Sequence, residues 1–205
     1  MTSIIQAAGW PIWPLIACSI FALAIILERF YALQSAKVLP ENVLNVAMAS
    51  TQQGFPSETT IQAIAMMGAV GPILATGLQT LALNPNASQQ DVRESMEMEG
   101  RMAAQGLERY LTALATLASA SPLLGLLGTV VGMIELFGLQ TPGQQQPADL
   151  AHGISVALYN TALGLIVAIP CLMAWRFFKS KVDRLTLQME WASERFARHL
   201  AAMRE

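Results

Sequence analysis

Three polar side chains lie deep inside uncharged apolar segments, and they are the residues of this chain best placed to do chemistry. They are Thr129, Asn160 and Thr161, and each sits on a stripe of small residues. In one segment Gly125, Thr129 and Gly132 are spaced four and three apart, so they share a helix face. Gly128 and Gly132 add a GxxxG pair. In another segment Gly153, Ala157, Asn160/Thr161, Gly164 and Ala168 make a matching stripe, with Leu158, Leu165, Ile169 and Leu172 on other faces. Small residues let helices approach closely in lipid, where hydrophobicity alone cannot drive association. Two such faces, each carrying a hydroxyl or an amide, suit a close-packed interface or a narrow polar-lined passage. A membrane threonine can equally bond back to a carbonyl one turn earlier, so both readings of Thr129 and Thr161 stand. Pro122 and Pro170 lie near these groups, and kinks beside polar residues often mark functional packing.

The remaining inventory is sparse. Glu135 lies near the outer end of its segment, about one and a half turns beyond Thr129 and on a different face. It reads as an interfacial carboxylate at a helix end or as a proton-entry group at an outer mouth. Asp149 and His152 fall in or beside a loop; His152 could titrate near neutral pH, and a solvated loop residue is the simpler account. Cys18 and Cys171 lie in apolar runs, where a free thiol acts as a small hydrophobe. There is no Gly-rich phosphate loop, zinc-ligand cluster or nucleophile elbow. The expectation is therefore no enzyme, no metal and no cofactor.

The elements that position these residues follow from composition. Of 205 residues, 54% are hydrophobic and 13% charged, and the net charge is -2. Soluble domains carry about a quarter charged residues. A disordered chain, a basic nucleic-acid binder and a secreted disulfide scaffold are excluded. Residues 1–27, 110–134 and 150–175 contain no Asp, Glu, Lys or Arg, and a span needs about 20 apolar residues. The chain reads as an all-α membrane protein with transmembrane helices over 10–27, 110–137 and 153–175. Trp10, Trp13 and Trp175 stand at span ends, as interfacial anchors do. The first span lacks the basic leader of a signal peptide, and its positive charge, Arg29, follows the apolar run.

Ile61–Leu83 is long enough to be a fourth span, but Gly68, Gly71, Pro72 and Gly77 interrupt it. With three spans, all 12 Lys and Arg residues fall on one side, as the positive-inside rule requires. A fourth would put Arg93, Arg101 and Arg109 on the other. The expected topology has residues 1–9 outside, 28–109 as a cytoplasmic helical region, 138–152 as an outer loop and 176–205 as a cytoplasmic C-terminal helix. The stretch 61–83 is then buried against the juxtamembrane parts of the other helices. Arg176, Lys179, Lys181 and Arg184 form the inside anchor and should meet anionic phospholipid headgroups.

Two spans are expected to extend far into the cytoplasm. Ser88-Gln89-Gln90-Asp91 resembles a capping box, and from there to Ser121 only Gly100 and Gly106 interrupt a helix-forming sequence. A single helix over 88–121 would be roughly 51 Å long. Past Trp175, Val182, Leu185, Met189, Ala192, Phe196, His199 and Met203 alternate by three and four. That is a heptad seam.

These residues carry a resemblance. Pro122-Leu-Leu-Gly-Leu-Leu-Gly-Thr-Val-Val-Gly-Met133 resembles the second-helix signature of the MotA/TolQ/ExbB proton channel family, and Gly153 through Pro170 resembles its third-helix motif. The opening from Gly9-Trp10-Pro11 to Glu28-Arg29-Phe30 also fits. MotA-like members have four spans, so three favour ExbB or TolQ, and the short N-terminus leans towards ExbB. The resemblance implies an inner-membrane homopentamer whose pore holds the single span of an ExbD-like partner. It implies a complex that uses the proton-motive force to energise a TonB-like protein for outer-membrane uptake of iron chelates, with the N-terminus periplasmic and the C-terminus cytoplasmic. The alternative is a TolQ-like subunit of the Tol-Pal system. By resemblance, Thr129 and Thr161 match pore-lining threonines. Many relatives carry a glutamate five residues before the third-helix threonine; here that position is Val156.

No ionisable side chain lies mid-span, and a membrane proton relay normally needs one. The titrating carboxylate is therefore expected from the partner, a membrane Asp. Rivals are a non-conducting membrane scaffold and a small-solute transporter; the latter would show paired repeats, and three dissimilar spans argue against it.

Overall fold

The computed structural model describes residues 10–52, 54–138 and 147–203, with the side chains of 147–150, His152 and Val156 left out. The chain is helical: α1 (Ile12–Ala32), α2 (Ser35–Val38), α3 (Val43–Gln52), α4 (Glu58–Ala65), α5 (Gly71–Leu83), α6 (Gln89–Glu108), α7 (Leu111–Gly138) and α8 (Pro147–Ala202). It forms two compact units, Met1–Glu28 with Tyr110–Phe177, and Arg29–Arg109 with Phe178–Glu205. The expectations for residues 1–9 and for most of the outer loop lie outside the described residues, as do those for the side chains of Asp149, His152 and Val156.

The first unit is built from three helices long and apolar enough to cross a membrane. Their outward faces are apolar, including Phe21, Leu123, Ile134 and Ile166, all exposed. α8 starts at Pro147, ahead of the expected start at Gly153. Proline suits a first turn, where its missing N–H costs no hydrogen bond. Cys171 is buried, Cys18 is half-buried, and both are free thiols.

The second unit resolves the fourth apolar stretch. Residues 61–83 form two short helices, α4 and α5, with a turn between them. Gly68 makes that turn at φ +68°, and a Cβ there would sit 2.6 Å from the Lys37 carbonyl oxygen. Neither helix is long enough to span. Ile64, Ile73, Leu74 and Leu78 are instead buried in a core, in which Gly77 meets Met96 and Leu200. The heptad seam supplies the facing wall: Val182, Leu185, Met189, Ala192 and Phe196 are buried. Burial continues through Ala197 and Leu200, whereas His199 is half-buried and Met203 exposed. His199 Nε2 lies 2.9 Å from Thr51 Oγ1, which itself donates to the Met48 carbonyl. The histidine is thus the donor, and it pins α3 to the end of α8.

The helix expected over 88–121 is corrected: it is two helices, α6 and α7. The capping box at its start is present, with Asp91 N–H to Ser88 Oγ at 3.1 Å and Ser88 N–H to Asp91 Oδ2 at 2.8 Å. The break comes at Arg109 and Tyr110, where Tyr110 adopts φ 63°. No glycine or proline marks the site. A tyrosine in the left-handed region costs about 1 kcal/mol or more, so the break is imposed by packing. Buried Arg29 takes part, donating from Nη1 to the Leu107 carbonyl at 3.1 Å. This satisfies a carbonyl at the end of α6 that has no partner within the helix. Tyr110→Gly should be more stable than Tyr110→Ala by about 1 kcal/mol in thermal melts. Both lose the ring, and only glycine is at ease at this φ; equal melting would refute the strain.

Candidate functional site

α7 has little amphipathic character, because lipid-facing and packed positions are both apolar. Burial separates them. Leu114, Ser121, Gly125 and Gly128 are buried, and they lie on one face. Facing them on α8 are Ala157, Asn160 and Gly164, also buried, and Ala168 and Cys171 are buried further along the helix.

The contact is backbone to backbone. A Cβ on Gly125 would stand 2.7 Å from the Asn160 carbonyl oxygen and 3.0 Å from Thr161 Cα. On Gly164 it would stand 2.6 Å from the Ser121 carbonyl oxygen. On Gly128 it would meet Asn160 Cβ at 2.7 Å, and on Gly132 it would meet Ala157 Cβ at 3.3 Å. Gly153 faces the Leu136 side chain. The two small stripes seen in the sequence thus meet each other within one chain. Asn160 is 1% exposed, pressed against Gly128.

The threonines flank this seam. Thr161 is half-buried, with its Cα against Gly125. Thr129 is half-buried, and its hydroxyl donates to the Leu126 carbonyl at 2.7 Å. It also borders an open groove with Val130, Met133, Ile134 and Phe137. Thr129 therefore makes the back-bond weighed above while a side of it faces open space. Its hydroxyl oxygen keeps acceptor capacity. Glu135 is exposed near the end of α7. Arg176 and Arg184 are exposed and Lys181 is half-buried. Lys179 is less free than a headgroup anchor should be. It pairs with Glu108 and with Asp183, and the hydrogen bonds it donates to these two carboxylates raise its pKa.

Sequence reasoning missed one feature. Thr112, Thr116 and Ser119 form an exposed hydroxyl row on the first half of α7, with Thr116 donating to the Thr112 carbonyl and Ser119 to Thr116. Their spacing of four and three is the signal that could have revealed it. No group of His, Cys, Asp or Glu able to hold a metal occurs among the described residues.

The sequence profile of the MotA/TolQ/ExbB proton channel family matches residues 60–191. The chain belongs to this family. It is 28% identical to the biopolymer transport protein exbB1 of Vibrio cholerae over 90% of this chain and 82% of that one. It is 31% identical to an ExbB-like biopolymer transport protein of Synechocystis over 85% and 83% of the two chains. The Tol-Pal system protein TolQ of Pseudomonas aeruginosa is 38% identical over 52% of this chain and 47% of its own length. As a MotA/TolQ/ExbB family member the chain is a membrane transport component, of a family not known for enzymes. The seam between α7 and α8 lies inside the matched region.

Proposed function

We propose that this chain is the proton-channel subunit of an ExbB–ExbD-type motor. In this reading it works in a bacterial inner membrane as a homopentamer around the single span of an ExbD-like partner, and it energises a TonB-like protein. The supporting observation is a family channel whose spans carry polar groups at the α7–α8 seam and no charge in residues 110–134 or 150–175.

Such a channel has no carboxylate of its own at mid-depth, and an isolated charge in lipid is costly. The partner's Asp supplies the titrating group. Thr161, and Thr129 once its hydroxyl turns from the Leu126 carbonyl, donate to it when ionised and orient water beside it, while Asn160 holds the α7–α8 seam behind them. Protonation removes the charge and lets the Asp pass the apolar lining; deprotonation holds it near the polar groups. Glu135 serves at the outer mouth, and Arg176, Lys181 and Arg184 hold phospholipid headgroups.

The test is proton flux in vesicles holding this chain with its single-span partner. The Thr129→Val, Thr161→Val double variant should lose most partner-dependent flux, while the assembly keeps its composition. Unchanged flux would overturn the roles of the threonines, and absence of flux in the unaltered complex would favour a scaffold. The local TolQ similarity favours a Tol-Pal role as the second reading. Energisation of TonB-dependent uptake in cells separates the two.

A further inference from the structure

The second unit carries two exposed apolar ridges on different helices. On α6, Met98 and Met102 are 65% and 54% exposed; on α8, Leu187 and Trp191 are 66% and 61% exposed. Large side chains grouped this way on a water-facing surface mark an interaction site.

The ridges have opposite charged borders. The α8 ridge continues a stripe Arg184–Leu187–Trp191–Arg195–Arg198, spaced three, four, four and three. Arg195 stacks over the Trp191 ring at 5.3 Å. The α6 ridge continues from Glu94, whose carboxylate accepts from Gln90. Over its whole length α6 is acidic, with Asp91, Glu94, Glu97, Glu99 and Glu108 against Arg93 and Arg101.

The ridges also stand at one level. α6 and the end of α8 run antiparallel, tied by Arg93–Glu194 and by Glu108–Lys179. Counting equally inward from either pair sets Met98 level with Met189 and Met102 level with Leu185. The two apolar ridges therefore overlap along the helix direction.

We propose that the Leu187–Trp191 ridge of one copy docks on the Met98–Met102 ridge of a second copy of this chain. The contact is heterologous, each copy using a different face towards either neighbour. Around an axis along these helices, surfaces at one level meet without a step along the axis, as a closed ring requires. Methionine suits the acceptor role, since its flexible thioether packs well on an indole. Arg195 then faces Glu94, which favours this pairing over ridge against like ridge, while Arg198 stays with Glu194 of its own helix. The docking rests on the homo-oligomer proposed above.

The test uses the full chain in detergent, with Cys18 and Cys171 replaced by alanine. Ser95→Cys and Gln188→Cys, placed beside the ridges, are co-expressed and treated with a bismaleimide. A cross-linked dimer is expected from the mixture and lost from either variant alone. It should also be lost on adding Arg195→Glu and regained when Glu94→Arg joins it. Cross-linking of one variant with itself would overturn the heterologous contact. No cross-link in an assembly still oligomeric by native mass would overturn this surface and spare the oligomer. A monomeric mass would overturn both. A cross-link insensitive to Arg195→Glu would overturn the charge matching.

Discussion

Gly125→Ala lowers the melting temperature of the full chain, and Gly106→Ala raises it. Alanine is the better helix former by about 1 kcal/mol, and both glycines are helical. At Gly106 a new Cβ meets nothing within 4 Å, so the propensity gain survives. At Gly125 the Cβ would press on the Asn160 carbonyl oxygen at 2.7 Å and on the Cα atoms of Thr161 and Gly164. These are backbone atoms, and no rotamer change moves them. Either α7 and α8 separate or the contact is strained, at a cost of about 1–3 kcal/mol. Separation would also loosen Asn160 and Thr161, so the variant should lose proton flux with its melting temperature. Circular dichroism at 222 nm in detergent checks the sign. A stabilised Gly125→Ala protein would show that the two helices do not touch there.

Phe196→Ala disrupts the second unit more severely. The ring is fully buried at the end of the seam and stacks on His199, with centroids 6.4 Å apart. Truncating a buried phenylalanine costs about 3–5 kcal/mol, a large share of the 5–15 kcal/mol that holds a typical domain together. The variant should melt at a lower temperature and become open to protease within α3 and α4. Leu187→Ala, at an exposed position on the same helix, should leave both unchanged in a detergent-dispersed monomer. Equal protease resistance of Phe196→Ala and the unaltered chain would refute the account of the core.

Much of this architecture is legible in the residues. Charge-free runs mark the three long apolar helices, since a charge in lipid is expensive wherever the chain folds. Ser88 and Asp91 announce the start of α6 because a cap is a local event. The seam from Val182 to Phe196 is visible because burial on a helix repeats every three or four residues. The break at Tyr110 is not visible. Arg109-Tyr110 contains no breaker, and the Arg29 hydrogen bond to the Leu107 carbonyl beside the turn joins residues 78 apart in the chain. Arg29 shows the same limit: the sequence places it just past the first apolar run, and folding buries it on the Leu107 carbonyl.

By itself the sequence determined which runs are apolar and free of charge, which faces are small, and that no Asp, Glu, Lys or Arg lies in residues 110–134 or 150–175. Those are properties of composition and of helical period. Only the tertiary structure decided what each face meets. The glycine stripe of α7 packs on Asn160 and Gly164 of the same chain, the heptad seam is covered by this chain's own short helices, and Leu187, Trp191, Met98 and Met102 stay uncovered. Periodicity shows that a face is buried without naming what covers it, because any small or apolar surface satisfies the same pattern. The choice rests on backbone distances between residues far apart in the chain.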